Sequence, residues 1–216
     1  MKYLKVTIFF TFSIILYYLG ISVNYNNEIN YSVNQSIPIE TTILSFSDYD
    51  TTISRNFANY SYNFNGICGS ISASIILQYY DDYLDDSILP INCENNEINT
   101  LNRIMPYIDH IDNFNEQGGS NVYDMYNGLN SYMSDYNVTS KTFSYETYNT
   151  NTFKSCINSN IPVIIDLDNH PIYGEHWVVG YGYYTNQRKV THVICIDGWG
   201  NEYVQIPISY IGFIVF

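Results

Sequence analysis

The sequence predicts an α+β fold on two observations: helical apolar periodicity runs through the middle of the chain, and β-rich runs take over from Pro162 onward. Size is the third. A chain of 216 residues can bury one sizeable core and is short for two.

The elements follow in order. After the turn signal Asn65-Gly66 comes GSISASIILQYYDDYLDD, in which Ala73, Ile76, Leu77, Tyr80 and Leu84 fall at i, i+3, i+4, i+7 and i+11. That spacing predicts a helix with one buried face. Further helices are expected over 97–111 and 121–136, the second entered through Gly118-Gly119 with Ser120 as its N-cap. Residues 138–145 read as a strand, and 150–158 as a short helix that stops before Pro162. The runs PVIIDLD, HWVVGYGYY, KVTHVICID and EYVQIPI then read as an antiparallel sheet.

Ahead of these lie two other segments. Residues 1–22 carry Lys2 and Lys5 and then a 16-residue apolar run over 6–21, which reads as an export signal, cleaved or retained as a membrane anchor. Secretion or display at the cell surface is the matching expectation. Residues 23–58 are polar and Asn/Ser/Thr-rich, a linker or pro-segment with one candidate strand over 41–46, so the catalytic-size domain is expected over 59–216.

Composition narrows the function. With 46% apolar and 13% charged residues the chain is not of a disordered class. The formal net charge of −13 repels phosphate backbones, which argues against nucleic acid and favours a neutral or basic peptide as partner. A monomer is expected. Four cysteines, at 68, 93, 156 and 195, form no CxxC pair and no cluster at zinc-ligand spacing, so no metal is expected. Cys93 with Cys156 is the one disulfide pairing that spares Cys68 and Cys195, and free thiols are the expectation. Asp81, Asp82, Asp85, Asp86, Asp109, Asp112 and Glu116 read as solvated faces.

Three short motifs carry chemistry. Cys68, in NGICGS, sits at the start of a predicted helix, where free N–H groups and the helix dipole can stabilise a thiolate and later an oxyanion. Gly66 and Gly69 flank it and leave room for a substrate carbonyl. His176 opens a strand, and Asp197, in IDGWGN, ends the next one 21 residues later, so a hairpin sets the two side by side. A carboxylate there fixes the tautomer and rotation of the imidazole.

Cys68-Gly69 followed by Tyr79-Tyr80-Asp81, the His-x-Val-Val-Gly-Tyr run from His176 to Tyr181, and the Asp-Gly-Trp-Gly-Asn turn from Asp197 to Asn201 together resemble the bacterial papain-like cysteine peptidases. The bacteriocin-leader-peptidase-like and streptopain-like groups are the nearest in that clan, and the resemblance covers about residues 60–216. It implies a helical half bearing the nucleophile helix, packed on a C-terminal antiparallel sheet. It implies Cys68 as nucleophile, His176 as base, Asp197 as the residue orienting that base, Trp199 as an indole shielding the pair, and hydrolysis of peptide bonds through a thioester without a cofactor. The family's oxyanion-hole Gln, five or six residues before the nucleophile, is replaced by Asn63 and Tyr62, so Asn63 is the candidate donor and Asn65 the second. Weaker readings on the same fold are a catalytically silent peptide- or polymer-binding relative and an amidase or acyltransferase; a purely structural surface protein is the last.

Overall fold

The computed structural model describes residues 51–61, 63, 65–93, 96–114, 116–186 and 189–216, all within the unit 45–216. The export segment and the candidate strand over 41–46 lie outside the described residues. The described chain runs β1 (Thr51–Thr52), α1 (Cys68–Tyr83), α2 (Glu97–Ile108), α3 (Val122–Asp135), β2 (Tyr145–Thr147), α4 (Thr150–Asn158), β3 (Val163–His170), β4 (Gly174–Asn186), β5 (Lys189–Ile196), β6 (Val204–Pro207) and β7 (Ile211–Val215), with a 3₁₀ turn over Ile208–Tyr210. The expected α+β architecture is therefore present: helices first, then an antiparallel sheet ordered β2-β7-β3-β4-β5-β6, with β1 added to β4.

α1 is the spine. It forms because its apolar residues recur at helical spacing, and it is buried on nearly every side, with Ile71, Ala73, Ile75, Ile76, Leu77 and Tyr79 all in the core. One side meets α2 and α3, and the other lies on β3 and β4. β4 is long because Val163–Leu167 covers one stretch of its edge and β1 covers another, pairing Thr51 with Tyr183 and Thr52 with Gly182. The folded body thus takes in residues ahead of 59, where the sequence places the domain start: Phe57 stacks on Tyr79 at 4.9 Å, and Arg55 lies over the Tyr83 ring.

Several local expectations change. α3 is capped by Asn121, which accepts from Tyr123 N and Asp124 N in a capping box, while the Ser120 carbonyl accepts from Trp177 Nε1. The strand expected over 138–145 lies instead at Tyr145–Thr147, because pairing with the C-terminal strand starts only at Ser144, which exchanges hydrogen bonds with Phe216. Asp81 and Asp109 are buried. Asp81 Oδ1 accepts from Leu89 N at 2.7 Å, which makes the Tyr-Tyr-Asp end of α1 a structural joint. All four cysteines are free.

Candidate active site

Cys68 is the first residue of α1. The helix can start there because Asn65 (φ +51°) and Gly66 (φ +74°) take left-handed conformations that turn the chain. Asn65 is fully committed to that turn: its Nδ2 donates to Phe114 O, and its carbonyl accepts from Gly118 N and Gln117 Nε2. The amide of the second candidate oxyanion donor is thus held on the Phe114 carbonyl. Ile67 at the N-cap offers no side-chain acceptor, so a neighbouring element must supply one. Asp109, just past the end of α2, does so: its Oδ2 accepts from Ser70 N at 3.0 Å and from the Ser70 hydroxyl at 2.5 Å.

His176 lies on β4 opposite Leu167, and 4% of its surface is exposed. Its Nε2 is 2.8 Å from the main-chain carbonyl oxygen of Asp197. A carbonyl only accepts, so Nε2 carries the ring proton and Nδ1 keeps its lone pair. Tyr173, His176 and Trp199 form a cluster of near-parallel rings, with centroids 5.4 Å (Tyr173–His176), 4.3 Å (His176–Trp199) and 5.5 Å (Tyr173–Trp199) apart. Trp199 keeps 44% of its surface exposed and so forms the outer wall of the imidazole.

The Asp197 carboxylate, expected behind the ring, bonds instead within its own turn and to Tyr173. Its Oδ1 accepts from Trp199 N (2.8 Å) and Asn201 N (3.2 Å), and its Oδ2 from Asn201 Nδ2 (2.7 Å) and Tyr173 Oη (3.2 Å). The side chain folds the 197–201 turn on itself, and the folded turn presents the carbonyl to the imidazole. Gly198, at φ +79°, belongs to the same device: a Cβ there would stand 3.0 Å from Ile71 Cγ2 on α1.

The main-chain N–H groups of Trp177, Gly69 and Cys68 itself favour the charged form of the Cys68 sulfur. The start of α1 packs against β4, and among the described residues no hydrogen bond joins sulfur to ring. Burial pushes the thiol up to about 11, and the Asp109 charge adds to that rise. Burial pulls His176 down, partly offset by the bond to the Asp197 carbonyl and by the Asp197 charge. Burial thus favours the neutral form of both the thiol and the imidazole. Burial, to which Asp109 adds, outweighs the main-chain N–H groups that favour the thiolate.

Asn63 is half-buried, and its Nδ2 is buried without a hydrogen-bond partner. A Cβ on Gly198 would lie 3.6 Å from that nitrogen, so the amide stands beside the 197–201 turn. An orphaned buried donor costs free energy unless something transient uses it. Gly69, expected to leave room for a substrate carbonyl, is instead buried in the packing of α1: a Cβ there would meet Ser120 Oγ at 2.1 Å and Asp109 Oδ1 at 3.0 Å. Sequence reasoning missed Tyr173 and Asp109. Asp109 was legible, since Leu101, Met105 and Asp109 recur every four residues along one buried stripe.

No curated relative matches the sequence. Among solved structures the chain is similar to a mite allergen from work on the limited antibody cross-reactivity between Blo t 1 and Der p 1, at 12% identity and a TM-score of 0.43 over 82% of this chain and 73% of that one. Residues 47–210, most of the chain and the whole of the site above, match the Peptidase_C39 like family, and to that family the chain belongs.

Proposed function

We propose that this chain is a cysteine peptidase in which Cys68 is the nucleophile, His176 the general base, and the Asp197 turn the element that orients the base. The observation that carries the reading is the 2.8 Å bond from His176 Nε2 to the Asp197 carbonyl. It leaves Nδ1 as an unprotonated base on the residue next to Trp177, whose N–H favours the Cys68 thiolate.

The chemistry follows from these states. Because burial favours the neutral pair, His176 Nδ1 takes the thiol proton as the sulfur attacks the peptide carbonyl, in a geometry that tightens when substrate fills the site. The S–C bond forms, and the carbonyl oxygen becomes an oxyanion held by the Cys68 N–H and Asn63 Nδ2. Collapse breaks the C–N bond, and the imidazolium gives its proton to the departing amine. A water then loses a proton to His176 and attacks the thioester, which releases the acid and restores the thiol. No step calls on a cofactor.

Exposed Trp199 stacks on the imidazole and suits apolar substrate side chains, while the acidic net charge suits a neutral or basic peptide. The buried rise of the thiol also favours a second reading, a slow or silent peptide-binding relative. Incubation with a peptide library and mass-spectrometric readout decides between them. Cleavage products that vanish in Cys68→Ala and His176→Ala support the peptidase; peptide retention without products, unchanged in Cys68→Ala, supports the binder.

A further inference from the structure

His170 moves no proton in the chemistry above, yet it folds the turn that carries Tyr173. It is the last residue of β3, pairs with Gly174 across the hairpin and is 7% exposed. Its Nδ1 accepts from the main-chain N–H groups of Ile172 and Tyr173, at 3.3 Å each. Pro171 brings no N–H, so both N–H groups between His170 and Gly174 converge on one nitrogen. An imidazole nitrogen that accepts carries no proton, so the ring hydrogen of neutral His170 is on Nε2. The ring thus does what an Asn or Asp side chain does in an Asx-turn, while it packs on Tyr173 (centroids 5.1 Å apart) and Tyr210 (4.9 Å). Burial holds His170 below its ordinary range and so favours the accepting form.

We infer that His170 is a positioning residue of the proposed active site: by fastening the turn it sets Tyr173, and through Tyr173 both the plane of His176 and the turn that binds its Nε2. This rests on reading His176 as the base. The chain of contacts is short. Tyr173 lies nearly parallel to His176 (11°, centroids 5.4 Å apart) and to Trp199 (13°, 5.5 Å), so it bounds the space in which the imidazole can rotate. Its hydroxyl donates to Asp197 Oδ2 at 3.2 Å, and the carbonyl of the same Asp197 holds His176 Nε2. One side chain therefore touches the base and the holder of the base together, and its own main chain is held by His170. Without an acceptor at Nδ1, the N–H groups of Ile172 and Tyr173 lose their partner, and the turn that presses Tyr173 into place loosens.

The test compares two replacements in the full chain. His170→Asn puts an amide oxygen where Nδ1 stands and still accepts from both N–H groups; His170→Gln carries its amide one carbon further out, where Nε2 stands, and does not. The first readout needs no substrate: exchange with water of the His176 Nε2 hydrogen, followed in proton–nitrogen spectra of the ring and assigned with His176→Ala. Wild type and His170→Asn should exchange it slowly, and His170→Gln about tenfold faster. The second readout is turnover of a cleaved peptide: kcat should fall about tenfold in His170→Gln with KM little changed, and stay within about twofold of wild type in His170→Asn. No change in His170→Gln overturns the inference, as does an equal loss in both variants, which would assign His170 to ring packing instead of to its acceptor. Should His170→Gln fail to fold, Tyr173→Ala takes its place, since it removes the link and leaves the fastener. An unchanged His176 exchange rate there overturns the inference, and so does a wild-type His170 that carries its hydrogen on Nδ1. A chain that shows the exchange pattern but cleaves nothing defeats the peptidase reading and leaves His170 standing as the residue that positions His176.

Discussion

The His176 imidazole is tethered by the main-chain carbonyl of Asp197, at 2.8 Å from Nε2, while the Asp197 carboxylate faces away and binds Trp199, Asn201 and Tyr173. The aspartate acts through the shape of its turn. This division of labour separates two properties that a carboxylate directly on the ring would combine, tautomer control and charge.

Asp197→Ala and Asp197→Asn should therefore differ sharply. Alanine leaves two main-chain N–H groups and the Asn201 amide without their acceptor at a residue 1% exposed, and should cost about 3 kcal/mol or more with loss of turnover. Asparagine can still accept from Trp199 N and Asn201 N, so about 1–2 kcal/mol and a reduced but measurable kcat are expected. Thermal melts with single-turnover kinetics check this. Equal loss in both variants would mean that the carboxylate charge, not the turn, is what matters.

Asn63→Ala tests the orphaned amide. If Nδ2 waits for an oxyanion, its removal lowers kcat about 10²- to 10³-fold with KM little changed. Stability should hold or rise slightly, because an unsatisfied buried donor disappears. A variant that melts several degrees lower at unchanged kcat would assign Asn63 to the fold.

What the sequence made legible here is local. The periodicity of α1, the β-rich runs and the turn glycines each act within a few residues, and so Cys68, His176 and Asp197 could be placed on a helix start and on adjoining strands. What it concealed is set by tertiary contact. Which atom of Asp197 meets the imidazole depends on how the 197–201 turn folds and on the Tyr173 hydroxyl, 24 residues away. The strand at Tyr145–Thr147 is decided by its register against β7, not by the apolar residues before it. The Cys68 shift is set by how deeply the tertiary fold buries the thiol, with the Asp109 carboxyl from the end of α2 adding to it.

The neutral pair that burial favours makes a prediction about rate. His176 is held below its ordinary 6.5 and Cys68 above its ordinary 9.0, so the competent form, neutral base with protonated thiol, spans the interval between. The acid limb of kcat/KM should have its midpoint below pH 6.5, and activity should persist past pH 9. A pH–rate profile whose alkaline limb falls near pH 8 would indicate a preformed thiolate–imidazolium pair instead.

Asp166 on β3 offers a stability prediction independent of the chemistry. Burial, with Glu175 and Asp168 as like charges nearby, raises its carboxyl from 3.8 to about 6. An acid raised on folding is penalised while ionised, so its cost is fully present above about pH 6 and is relieved as the pH falls toward 3.8. Asp166→Asn removes that cost. Half-burial leaves part of the repulsion screened by water, so a gain of about 1 kcal/mol, or about 2–4 °C in Tm, is expected at pH 7.5. At pH 4.5 the wild-type side chain is protonated in the folded state and the advantage should shrink toward zero. Melting curves of both proteins at the two pH values measure the difference directly; a gain that is the same at both would mean that the carboxylate is not paying an ionisation penalty at all.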